Sequence, residues 1–202
     1  MNYRSIIRRA AGLAVLFAAV AGGSAQAAPW ARMSACSQPD YSFSQPFSSF
    51  RDANWYTLAP GQSVNSFDGT GWTLSGGAQL VTTTLADGST GTVLDLPAGA
   101  TAVSPPMCVS ADYPSARAEV RDVAGPPSVH LSVAYTNTPS WDKPAAAGVM
   151  AGNVGWGNSQ PLQLHPGHLW GWQQEVFTLT GNGPNGSEAQ VYNFYVDPHC
   201  FR

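Results

Sequence analysis

The sequence has 202 residues, of which only 10% are charged, and its formal net charge is −3. Without the first 27 residues, which have the composition of a leader, six basic and twelve acidic residues remain, and the net charge is −6. Nucleic acids and anionic membranes are bound by clustered basic side chains, so this balance excludes both as expected partners. The remaining length suits one domain with its own core.

The first 27 residues have the composition of a secretory signal peptide. Arg4, Arg8 and Arg9 form a basic start, and the apolar stretch 10–22 is too short to cross a bilayer. Small residues precede position 28, so we expect cleavage after Ala27. The sequence therefore predicts a secreted protein with no membrane span after processing, and a retained anchor is the alternative.

Three cysteines follow the leader: Cys36, Cys108 and Cys200. An oxidising exterior favours one disulfide and one remaining cysteine. A bridge from Cys36 to either of the other two would close a long loop, and both pairings stay open. Lipidation of Cys36 is another possible fate, but Trp30 and Arg32 separate it from the apolar part of the leader.

An extended arm is predicted at residues 28–46, because this segment is rich in Ser, Pro and Gln and has no periodicity. The main domain then begins at residue 47. Short strands are predicted at 47–50 and 55–59.

The stretch Phe67–Leu80 holds the first clear strand pattern. Trp72 and Leu74 alternate with polar residues, so both should face a core. A Gly76-Gly77 break separates this run from a second strand at 78–85. We interpret the two strands as a pair.

Further strands are predicted at 92–96, 101–104, 107–109, 117–123, 128–136, 145–153, 176–180 and 188–196. The last two are interpreted as a pair joined by the glycine-rich turn 181–186. About ten short strands, with 21 Gly, 16 Pro and no amphipathic helix, predict an all-β fold. We expect a single antiparallel β-sandwich of the jelly-roll, galactose-binding-like type over residues 47–202.

No stretch carries a catalytic signature. Pro166 and Gly167 stand between His165 and His168, so this pair does not form a helical zinc motif. A Gly-x-Ser-x-Gly elbow is absent from the sequence, and the scattered acidic residues nominate no glycosidase pair. The sequence therefore predicts a protein that is not an enzyme.

Asp68 and Asp197 lie near the ends of the predicted first and last core strands. The ends of these strands lie close together in a jelly roll, where two carboxylates and backbone carbonyls could hold a structural Ca²⁺. Only two ligands can be named, so we expect no cofactor.

The aromatic residues of one glycine-rich segment are the best binding candidates. Tryptophan rings stack on sugar faces, and nearby amides bind hydroxyl groups. The rings are Trp156, Trp170 and Trp172, and the amides are Asn158, Gln160 and Gln173. The alternative is that the rings fill the core.

Several motifs together resemble a group of secreted actinobacterial proteins of unknown function. They are Trp72 with 76–78, Leu94–Gly99, Ser104–Val109 and Tyr195–Pro198. The resemblance implies a jelly roll akin to galactose-binding-like domains and carbohydrate-binding modules, a Cys36–Cys108 disulfide, and an actinobacterial source. That family carries two aspartates where this chain has Tyr192 and Asn193, which counts against a Ca²⁺ site.

We expect a secreted, non-catalytic binding or cell-envelope interaction module. Its expected partner is an extracellular glycan or a cell-wall component. One alternative is an adhesive surface protein that acts through protein–protein contacts, with Cys200 available for pairing. The other is a glycan-active hydrolase with its carboxylates on a concave face.

Overall fold

Two antiparallel β-sheets face each other and enclose an apolar core, which confirms the predicted all-β sandwich of jelly-roll type. The computed structural model describes residue 36 and residues 41–110, 112, 114–135, 144–164 and 172–198. The predicted leader and Cys200 lie outside these residues, and the predicted domain boundaries stay predictions. In the described part of the chain, no helix is long and apolar enough to span a membrane.

In the described part of the chain, thirteen strands build the two sheets. The first sheet contains β1 (Thr57–Leu58), β3 (Gln79–Thr84), β4 (Thr90–Pro97), β7 (Ser115–Ala124), β10 (Gly157–Asn158), β11 (Leu162–Gln163) and β13 (Glu188–Asp197). The second contains β2 (Thr73–Ser75), β5 (Thr101–Val103), β6 (Met107–Ser110), β8 (Ser128–Tyr135), β9 (Ala145–Met150) and β12 (Trp172–Asn182).

The long strands β7 and β13 lie side by side in the first sheet, whose order is β10-β7-β13-β4-β3. Strand β1 pairs with β13, and β11 pairs with β7. The second sheet has the order β2-β5-β12-β8-β9, with β6 also on β12. Strand β7 therefore has the short strands β10 and β11 along one edge.

Alternation along the strands places the core as the sequence predicts. Trp72 is buried in the core and Leu74 packs against it. The inward residues of β8 and β12 meet the small inward residues of β7 across the interior. These buried residues are Val129, Leu131, Val133 and Tyr135 on β8, Phe177 and Leu179 on β12, and Ala116, Ala118 and Val120 on β7.

Two predicted strand pairings are wrong. Strand β2 pairs with β5 and strand β3 with β4, so the two strands of the 67–85 region belong to different sheets. Strands β12 and β13 likewise lie in opposite sheets. Gly76 (φ 65°) turns the chain between the sheets, and a Cβ there would lie 2.7 Å from the Gly99 carbonyl oxygen. Alternating side chains identify a strand, but they do not identify its neighbour.

The predicted strand at 47–50 is instead a 3-10 turn, Ser48–Phe50. The Phe50 N–H donates to the Phe47 carbonyl, and the Arg51 N–H donates to the Ser48 carbonyl. These local i to i+3 bonds satisfy the backbone where no neighbouring strand is available. The side chain of Phe47 is still buried.

A Cys36–Cys108 disulfide joins the N-terminal segment to β6, as the family resemblance implies. The two Cα atoms are 5.6 Å apart. The Tyr41 hydroxyl donates to the Cys108 carbonyl and accepts from the Cys108 N–H, both at 3.0 Å. The start of the described chain is therefore fixed at the second sheet.

Candidate functional site

A polar cleft of about 580 Å³ lies on the outer side of the first sheet, at the edge formed by β7, β10 and β11. Its lining is rich in amide and charged side chains and includes one aromatic ring. The lining residues are Phe50, Arg51, Asp52, Ala53, Asn54, Arg117, Asn158, Gln160, Pro161 and Gln163.

One wall of the cleft is the segment 157–163, which follows the edge of β7. Asn158 of β10 lies opposite Glu119 of β7, and Gln163 of β11 lies opposite Ser115 of β7. Between them, the Ser159 hydroxyl accepts from the Ala118 N–H at 3.0 Å. The Ser159 hydroxyl thus replaces a backbone carbonyl as the acceptor at this point. The next residues, Gln160 and Pro161, line the cleft.

The other wall is the N-terminal segment, which folds back over the outer side of the first sheet. Ser44 and Tyr56 form a β-bridge that closes this excursion. The rings of Phe47, Tyr56 and Tyr195 pack edge to face, with centroids 5.0 and 5.6 Å from that of Phe47. This aromatic cluster presses the segment onto the sheet and brings the 3-10 turn to the cleft.

An ion pair joins the two walls. Arg117 Nη1 donates to Asp52 Oδ2 at 2.7 Å, and these side chains are only 6% and 13% exposed. Arg117 Nε donates to the Ser159 carbonyl at 2.9 Å. The guanidinium also lies 4.1 Å from the centre of the Phe47 ring. Arg117 therefore contacts both walls at once.

Asp52 is further bound by its neighbours. The Tyr56 hydroxyl donates to Asp52 Oδ2 at 2.9 Å, and the Asn54 N–H donates to Oδ1 at 3.2 Å. Burial raises the pKa of the Tyr56 phenol well above its usual range, and the adjacent Asp52 carboxylate raises it further. Tyr56 therefore remains a hydrogen-bond donor to Asp52 at physiological pH.

Other groups in the cleft remain available to a ligand. The side-chain amides of Asn158, Gln160 and Gln163 have no hydrogen-bond partner among the described residues. Phe50 is 60% exposed, so its ring is open to solvent. Amides can donate to and accept from hydroxyl groups, and an open ring can stack on an apolar sugar face.

The carboxylates of the cleft do not form a glycosidase pair. Among its described lining residues, Asp52 is the single acid, and it is already ion-paired and hydrogen-bonded. Glycosidases of the common kind use two carboxylates on either side of the scissile bond.

Trp156 lies farther along the outer side of the first sheet. Its indole Nε1 donates to the Thr84 carbonyl at 2.9 Å, and the Arg121 guanidinium lies 4.7 Å from the ring centroid. The ring of Tyr192 packs against it edge to face, with centroids 4.6 Å apart. Half-buried Trp156 therefore joins β10 to its neighbours.

The other predicted ligand-binding residues are not brought together with Trp156. Trp172 and Gln173 lie on β12 in the second sheet, and Trp170 falls outside the described residues. Gln173 is only 3% exposed. Of the predicted hydroxyl-binding amides, Asn158 and Gln160 do line the cleft.

A buried carboxyl group accompanies Gln173 inside the sandwich. Glu175 is fully buried, and its Oε1 accepts from Gln173 Nε2 at 3.4 Å. In the described part of the chain, neither Glu175 Oε2 nor Gln173 Oε1 has a hydrogen-bond partner. Burial raises the pKa of the Glu175 carboxyl well above its usual range.

The two aspartates suggested for Ca²⁺ have different surroundings. Asp68 is exposed and accepts hydrogen bonds from the hydroxyls of Ser63 and Ser66. Asp197 is buried at the end of β13, opposite Ser115. No group of three or more His, Cys, Asp or Glu side chains suited to a metal ion occurs among the described residues. The expectation of no cofactor, with a Ca²⁺ site at these two aspartates as the weaker alternative, stays a prediction.

Sequence reasoning missed the N-terminal half of the cleft. Phe50, Arg51, Asp52 and Asn54 stood in a segment interpreted only as strand and loop. One feature of the sequence points to this segment as part of a site: Arg51 and Asp52 are adjacent charged residues in a chain with just 10% charged residues. The contact between Asp52 and Arg117 spans 65 positions, which no local pattern encodes.

The chain matches no known protein-family model and no curated protein. Among solved structures, the xylan-binding CBM22-1 domain from Paenibacillus barcinonensis is 14% identical, with a TM-score of 0.44 over 65% of this chain and 88% of that one. A xylan-binding CBM15 module is 12% identical, with a TM-score of 0.44 over 71% and 95%.

A β-1,3-glucan-binding CBM6 from Bacillus halodurans is 14% identical to this chain, with a TM-score of 0.40 over 63% of this chain and 89% of that one. These structures resemble the chain in its β-sandwich architecture.

Proposed function

We propose that this chain is a secreted, non-catalytic glycan-binding module and that the polar cleft is its binding site. The observation that carries the proposal is the cleft lining itself. It combines three uncommitted amides with an exposed phenylalanine ring on walls held together by the Arg117–Asp52 ion pair.

The fixed position of the cleft walls supports a binding function without catalysis. A ligand site gains affinity when its side chains are positioned before the ligand arrives. Arg117 is fixed by Asp52, Ser159 and the Phe47 ring, so the cleft does not need to assemble around a ligand. The signal-peptide prediction and the Cys36–Cys108 disulfide are compatible with action outside the cell.

The test is affinity electrophoresis of the processed chain against a panel of neutral and acidic polysaccharides, followed by calorimetry on any that bind. We expect the Asn158→Ala/Gln163→Ala variant to bind about tenfold more weakly, because it loses two hydroxyl-binding groups. Asn185→Ala removes an exposed amide in the turn before β13 and serves as the matched control.

Two results would contradict the proposal. One is an absence of binding to every polysaccharide in the panel. The other is binding that the double variant retains in full, which would place the site elsewhere on the molecule.

A further inference from the structure

The charges of the cleft do not cancel. Three lining residues are charged: Arg51, Asp52 and Arg117. Arg117 and Asp52 neutralise each other in the ion pair at 2.7 Å. Among the described residues Arg51 makes no ion pair, so the cleft carries one uncompensated positive charge.

This positive cleft belongs to an acidic protein. The whole chain has a formal net charge of −3, with nine basic residues in 202. Two of those nine line this one cleft. A generally basic surface therefore does not explain the positive charge found here.

The backbone at Arg51 also sets this residue apart. Its φ of 64° and ψ of 26° are left-handed, a conformation that glycine or asparagine usually supplies after a helical turn. The Arg51 N–H donates to the Ser48 carbonyl and ends the 3-10 turn. The chain thus places a long cationic side chain where glycine would be the easier choice, and that side chain lines the cleft.

A guanidinium that is not already paired has a defined chemical preference. Its planar donors match the two oxygens of a carboxylate, and such charge-assisted bonds are stronger than neutral ones. The amides beside it suit hydroxyl groups. We infer that the cleft binds an acidic polysaccharide, one whose sugars carry a carboxylate as uronic acids do, with Arg51 as the group that recognises the carboxylate.

This inference rests on the proposed glycan binding and is tested with polymer pairs that differ only in charge. The pairs are polygalacturonate with its methyl-esterified form, and glucuronoxylan with its carboxyl-reduced form. We expect the wild-type chain to bind at least one carboxylated polymer about tenfold more tightly than its neutral counterpart.

Variants then assign the preference to Arg51. In Arg51→Ala the ratio of affinities should fall to within about twofold, and Arg51→Lys should retain part of it because the charge remains without the planar fork. Arg121→Ala is the matched control. This arginine lies on the same outer face but is committed to Gln190, Thr83 and the Trp156 ring, so the ratio should not change.

The possible results distinguish a failure of the acidic preference from a failure of glycan binding itself. Equal or tighter binding of neutral polymers overturns the acidic preference and leaves glycan binding standing. An unchanged ratio in Arg51→Ala overturns the role of Arg51. Equal affinity for dextran sulfate would show unselective attraction of polyanions and would also overturn the inference. Binding to none of the polymers contradicts both statements together.

Discussion

The cleft and the sandwich interior each bury a carboxyl group, but only the cleft gives that group a charged partner and several hydrogen bonds. Asp52 at the cleft receives hydrogen bonds from Arg117, Tyr56 and the Asn54 N–H. Glu175 between the sheets receives one long bond from Gln173, and its Oε2 has no partner among the described residues. The paired carboxylate shapes a surface site, whereas the unpaired one favours its neutral form. Changes of pH and substitutions at these groups or their contacts test this difference.

The largest effect is expected from Arg117→Met. Asp52 would lose its counter-charge while remaining mostly buried, and removal of one partner of a buried pair costs about 3 kcal/mol. Urea denaturation should therefore show a free energy of unfolding lower by about that amount. The double variant Arg117→Met/Asp52→Asn should regain part of it, because no charge is then left alone. A loss below about 1 kcal/mol in the single variant would show that the pair does not hold the walls together.

A smaller effect is expected from pH, through Glu175. Burial raises its pKa in the folded protein well above the ordinary value of 4.5. The stability that comes from the protonated form is complete below pH 4.5 and is lost as the pH rises through the folded pKa. The free energy of unfolding should thus fall from acidic to alkaline pH.

The variant Glu175→Gln isolates this contribution. It should flatten the fall and be more stable than the wild-type chain at pH 8. Denaturation curves at pH 5, 7 and 9 provide the measurement. Identical pH slopes in the two proteins would mean that another group carries the dependence.

The smallest effect is expected from Trp156→Phe. This change removes the hydrogen bond to the Thr84 carbonyl and should lower the free energy of unfolding by about 1 kcal/mol. Glycan affinity should stay within twofold of wild type, because the ring lies outside the cleft lining. A tenfold loss of affinity, measured by calorimetry, would instead support the sequence-based assignment of Trp156 to the binding site.

The fold could be predicted from the sequence because burial follows alternation. The pattern of β8 places Val129, Leu131 and Val133 in the core, as observed. Pairing could not be predicted, because Gly76 carries the chain between sheets where a short glycine link usually forms a hairpin. A local pattern reports which side of a strand is buried, whereas the neighbouring strand depends on the whole topology.

The site was predictable only in part. Asn158 and Gln160 were selected for their side-chain chemistry, and the structure places both in the cleft. Arg51 and Asp52, which line the cleft with them, come from more than 100 positions earlier in the chain. Stacking on sugar faces is predicted for the tryptophan rings, yet Trp156 packs against residues of the first sheet and Trp172 lies in the second.

The Cys36–Cys108 disulfide and Tyr41 anchor the N-terminal segment on the second sheet, and the same segment then forms a wall of the cleft on the first. The shape of the cleft is thereby linked to the oxidation state of two sulfur atoms remote from its lining. Protein produced in a reducing cytosol, or handled with dithiothreitol, would hold this wall less firmly. Binding assays on oxidised and reduced samples would therefore measure how much this tether contributes to the cleft.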